Sequence, residues 1–119
     1  MKDFTYLGDI KGTAMNKGRA RVWLEKAQSE LCKFGFLRGE PVDIVIGESA
    51  ITVRVDSHGK RKVAGRVKKD GKVICILDIC FPAEKRLAMF AGADRLQVWA
   101  GNCEIVICAA NIPAIQEAF

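Results

Sequence analysis

The sequence predicts a mostly β fold with two short helices, an α+β domain, and three observations lead to it. Val/Ile-rich runs of strand length recur between Gly-containing turns. Two short segments of helical character interrupt them, one closed by Gly35, the other opened by Pro82 and closed by Gly92. The same strand–helix–hairpin order then occurs twice. With 119 residues, 50% hydrophobic and 28% charged, the chain suits one domain with a core of its own.

Taken in order, residues 18–25 (GRARVWLE) read as a first strand, with Arg19 and Arg21 on one face and Ala20 and Val22 on the other. A helical stretch, KAQSELCKFGF, follows. Residues 36–54 (FLRGEPVDIVIGESAITVR) then read as a hairpin around Gly47-Glu48-Ser49. Residues 71–78 (GKVICILD) match the first strand, pairing Trp23-Leu24-Glu25 with Ile76-Leu77-Asp78. The stretch PAEKRLAMFAG is the second helix, and residues 90–108 (FAGADRLQVWAGNCEIVIC) the second hairpin, turning at Gly101-Asn102-Cys103. The hairpins align without a gap: Phe36 with Phe90, Glu40 with Asp94, Gly47 with Gly101, Ile51 with Ile105. The chain therefore divides into repeat one (17–56), a basic connector (57–70), repeat two (71–109) and a tail (110–119). Neither repeat, at about 40 residues, buries enough apolar surface alone, so the two are expected to share a core about a pseudo-twofold axis.

Charge is concentrated in the connector. Residues 59–72 (GKRKVAGRVKKDGK) hold seven of the 19 basic residues and one of the 14 acidic residues, Asp70. Without them the chain carries 12 basic and 13 acidic residues and is nearly neutral. Turn signals at both ends of KRKVAGRV predict a short strand or basic ribbon, which, if no bulge intervenes, sets Lys60, Lys62 and Arg66 on one face and Arg61 on the other. The competing reading is a solvated linker, the commonest fate of a charge run.

The run RVWLE…GFLRGEPVDIVIGESAITVRV, with its Gly35-Phe36 step followed by Arg38-Gly39-Glu40, resembles the SpoVT/AbrB-like swapped-hairpin family, in particular its SymE-like branch. The resemblance covers residues 19–56 and is traceable over 71–109. It implies a duplicated β-α-β-β swapped-hairpin barrel in one chain, a monomeric pseudo-dimer, with a DNA-facing surface at the start of the first strand of each half. The residues it places there are Lys17, Arg19 and Arg21, with Lys68, Lys69 and Lys72 at the equivalent position of repeat two. Lys60, Arg61, Lys62 and Arg66 extend the basic set. The function expected is a small DNA-binding regulator or antitoxin-like factor. A SymE-like toxin acting on RNA or the nucleoid is one alternative, and a protein-binding inhibitor from a phage or mobile element is another.

Phosphates attract such a cluster whatever the base sequence, whereas Arg19 and Arg21 have the guanidinium geometry for base contacts. Duplex DNA is thus the expected partner, with RNA or a protein as alternatives. Trp23 has a ring on which a base can stack, but beside Val22 and Leu24 it reads first as core or cover for the barrel end, and Trp99 reads the same way. No catalytic constellation accompanies Asp56 and His58, and no phosphate-binding or dinucleotide glycine motif occurs, so neither an enzyme nor a cofactor is expected. Cys75, Cys80, Cys103 and Cys108 form two C-x4-C pairs. Residues five apart on a strand face opposite ways, so buried thiols rather than a metal site are expected. The first residues lack a signal peptide's apolar run and no stretch reaches membrane-span length, which predicts a soluble, cytoplasmic protein. In the tail, Ile112, Ile115 and Phe119 form an apolar helical face that packs back on the domain or joins two molecules.

Overall fold

The structure is a computed structural model that describes residues 3–11, 14–16 (backbone only), 18–82, 84–85 and 95–109. In chain order the strands are β1 (Thr5–Lys11), β2 (Ala14–Asn16), β3 (Arg19–Ala27), β4 (Pro41–Ile46), β5 (Ala50–Val55), β6 (Arg61–Lys62), β7 (Ala64–Val67), β8 (Val73–Pro82), β9 (Arg95–Gly101) and β10 (Glu104–Ala109). One short helix, α1 (Gln28–Leu31), runs on into a 3-10 turn over Cys32–Phe34. Most of the second helix expected from the sequence, residue Lys17, and the tail lie outside the described residues. No helix among the described residues is long and apolar enough to cross a membrane.

The strands form two sheets, a six-stranded one in the order β1-β9-β10-β5-β4-β6 and a four-stranded one in the order β2-β3-β8-β7. Strand alternation supplies the layer between them. Ala20, Val22 and Leu24 of β3 and Cys75, Leu77, Ile79 and Phe81 of β8 join Ile51 and Val53 of β5, Leu96, Val98 and Ala100 of β9, and Ile105 and Ile107 of β10 in one cluster. Fully burying side chains of this size stabilises by about 1.5–3 kcal/mol each relative to exposure. Gly35 ends the 3-10 turn in the left-handed region at φ 91°. That reversal sends Phe36 back into the core, where it is fully buried beside Leu31 and Phe34.

The hairpin registers agree with the sequence alignment. Ile46 pairs with Ile51 in the first hairpin, and the aligned residues Ala100 and Ile105 pair in the second. Between halves, Leu24 pairs with Leu77 in the four-stranded sheet, and Thr52 pairs with Val106 in the six-stranded sheet. Each pair consists of two residues that the alignment equates, which is the register a twofold axis through the pair requires.

Three expectations need correction. The two sheets share no strand pairing among the described residues, so they do not close into the expected barrel. The first strand of each half runs further than expected, to Ala27 and to Pro82; Glu84 and Lys85 after it are helical, and the rest of the expected second helix lies outside the described residues. The connector is also not one ribbon. Its chain breaks at Val63, which is 2% exposed, and crosses from one sheet to the other. β6 pairs with β4 at the edge of the larger sheet, and β7 pairs with β8 at the edge of the smaller one. The N-terminal strands, absent from the sequence reading, run the same way: β1 on β9, then β2 on β3.

Candidate nucleic-acid interface

The outward face of the four-stranded sheet carries Arg19, Arg21 and Arg66, and the turn at its edge carries Lys68, Lys69 and Lys72. On β3 the alternation that buries Ala20, Val22 and Leu24 turns Arg19, Arg21, Trp23 and Glu25 outward. The paired residues of β8 are Cys80 opposite Arg21, Asp78 opposite Trp23 and Ile76 opposite Glu25. β7 adds Arg66, whose Nη2 lies 3.5 Å from Glu25 Oε2. Exposed pairs of this kind contribute at most about 1 kcal/mol, so they orient the side chains without holding the fold together.

Arg21 has a more defined setting than the sequence indicates. Its Nε and Nη2 donate to the two carboxylate oxygens of Asp78 at 2.6 and 2.7 Å. The Arg21 hydrogen bond holds the Asp78 carboxyl below its ordinary range, and the same bond raises Arg21 in turn. The guanidinium also lies over the Trp23 ring, 4.8 Å from its centroid. Trp23 is 45% exposed and therefore neither core nor cover. Asp78 and Glu25, which the alignment equates, each face an arginine, so both carboxylates on this face are compensated.

The basic connector is ordered by its own backbone. Lys68 N–H donates to the Lys72 carbonyl at 2.8 Å, and Gly71 N–H donates to the Lys68 carbonyl at 2.9 Å. Asp70, the one acid of the stretch, accepts from the Lys72 backbone N–H at 3.0 Å. Its carboxylate is engaged in the turn, which leaves Lys68, Lys69 and Lys72 exposed at the β7–β8 end. The segment is folded as a hydrogen-bonded, exposed turn between two strands.

The structure does not gather all these residues at one point. Arg19 pairs with Pro82, whereas the Lys68–Lys72 turn adjoins Val73 at the other end of β8. The two ends of the face are about 26–33 Å apart, from eight to ten residues at roughly 3.3 Å each. Arg61 reaches the middle of the same sheet, where its Nη2 donates to the Asp78 carbonyl at 2.8 Å. Lys60 and Lys62 flank it in sequence and are exposed. Arg66 does not continue the face of Lys60 and Lys62, because the strand breaks between them at Val63.

The thiols divide differently from expectation. Cys75 and Cys108 are buried, and burial pushes the Cys108 thiol up to about 11; Cys80 and Cys103 are exposed. No group of three metal-ligating side chains is found among the described residues. Asp56 Oδ1 accepts from the His58 backbone N–H at 2.9 Å, so that carboxylate serves the turn. On the outer face of the larger sheet, Trp99 packs against Tyr6 with ring centroids 5.1 Å apart.

Compared with protein-family models, characterised proteins and solved structures, the chain matches none of them.

Proposed function

We propose that this chain is a small nucleic-acid-binding protein that uses one sheet face and its flanking turns, built from two copies of a β-α-β-β unit related by a pseudo-twofold axis. The registers centred on Leu24–Leu77 and Thr52–Val106 support the duplication. The SpoVT/AbrB-like resemblance assigns such a chain to DNA-binding regulators or antitoxin-like factors. A single observation carries the binding reading. The second part of the basic segment, with Arg66, Lys68, Lys69 and Lys72, is folded along the edge of the sheet that also displays Arg19, Arg21 and Trp23, while the first part, Lys60–Lys62, runs at the edge of the larger sheet. Strands and turns would make the contacts, since no helix among the described residues is long enough to enter a groove.

Salt dependence tests this reading. Affinity for an oligonucleotide should fall steeply as salt rises, because each neutralised phosphate releases counterions. Replacing Lys68, Lys69 and Lys72 together with alanine should lower affinity by about an order of magnitude at low salt. The log–log salt slope should flatten by about 2 to 3, in line with 0.7–0.9 per lost phosphate contact. The three ammonium groups are exposed, so the fold should persist. Binding that is absent, or indifferent to both salt and the triple variant, would contradict the proposal and favour a protein partner.

A further inference from the structure

We propose that the occupant of the four-stranded face is a single-stranded nucleic acid, with an unpaired base stacked on Trp23 and the Arg21 guanidinium. This deepens the nucleic-acid reading above and rests on it. Trp23 lies on β3, one of the two inner strands of the sheet, and is 45% exposed. Arg21 lies over its ring, held there by both oxygens of Asp78. The two side chains together offer planar surfaces of the kind on which unpaired bases stack.

An undistorted duplex offers that surface no base face. Its base faces are stacked away, and only base edges are presented in the grooves. Four strands at about 4.8 Å spacing also measure roughly 14 Å across before side chains are counted. The major groove, about 12 Å wide, admits a helix or a two-stranded ribbon, not a sheet of this breadth. An extended strand can instead run along the face. Arg19 at one end, Arg66 beside the row, and Lys68, Lys69 and Lys72 at the other end would meet its phosphates. The face is about 26–33 Å long, and for comparison one OB-fold platform covers about 4–16 nucleotides. The carboxylates that would repel such a strand, Asp78 and Glu25, lie against Arg21 and Arg66.

The test uses the full chain and labelled probes about twelve residues long: oligo-dT, oligo-U and a duplex, compared by fluorescence anisotropy at one salt concentration. Single strands should bind about tenfold or more tightly than the duplex. Trp23→Ala should weaken single-strand binding by about 5- to 100-fold and leave duplex binding unchanged, while Trp23→Phe should retain most of the affinity. The chain has two tryptophans, so in a Trp99→Phe background the emission of Trp23 alone should be quenched when oligo-dT is added. That readout needs no truncation of Trp23. A duplex bound as tightly as the single strands, or a Trp23→Ala protein that binds them like the parent, would overturn this inference while the broader reading stands. If neither probe binds, both fall.

Discussion

Replacing Phe36 with alanine is expected to destabilise the protein by about 3–5 kcal/mol, the range for removing a buried aromatic ring. Phe36 has no exposed surface and belongs to the cluster that joins the two sheets. Its backbone is fixed on the N-terminal side. Gly35 before it takes the left-handed conformation, and the Phe36 N–H donates to the Leu31 carbonyl at 3.3 Å. The ring therefore cannot be replaced by a small shift of the loop, and a cavity remains between the sheets. Urea unfolding followed by circular dichroism reads the effect directly. Phe36→Leu should recover much of the loss; a Phe36→Ala protein within about 1 kcal/mol of the parent would mean that this site collapses freely.

Gly59→Ala should have the next largest effect, about 2–3 kcal/mol, at the upper end for overpacking. A Cβ at this position would lie 2.3 Å from the Val42 carbonyl oxygen, 2.5 Å from its carbon and 2.7 Å from its nitrogen. All three are backbone atoms of β4 and have little freedom to yield. The turn would have to lift, straining the bond from the Asp56 N–H to the Pro41 carbonyl, 3.0 Å in the parent. Gly71→Ala is the control. Nothing lies within 4 Å of a Cβ there, so its cost comes only from φ 85° and should be about 1–2 kcal/mol. Equal losses at the two positions in the same urea assay would contradict the close-approach argument.

The parts of the fold legible in the sequence were those governed by local pattern. Period-two alternation located the core face of β3, the Gly47 and Gly101 turns located the hairpins, and Gly35 located the end of the helical stretch. β1 and β2 were not legible, because TYLGDIK is largely polar and exposed, and β1 gains its partner only in β9, far along the chain. Val63 was a readable signal that went unused: one apolar residue inside a basic run marks where the chain dips into the core. Trp23 shows the limit of reading neighbours in place of alternation. Its adjacent Val22 and Leu24 suggested burial, yet period two sets it on the face of Arg19 and Arg21. The Arg21–Asp78 pair depends on the register between β3 and β8, which no local pattern contains.

Amide chemical-shift mapping with a short oligo-dT tests the central claim most directly, because it asks which surface of the folded protein meets the nucleic acid. The account predicts shifts that track added oligonucleotide at Arg19, Arg21 and Trp23 of β3, at Asp78 and Cys80 of β8, and at Arg66 through Lys72. The outer face of the larger sheet, around Val45 and Thr52, should stay unchanged. Shifts centred on that larger sheet, or none at saturating oligonucleotide, would contradict the account.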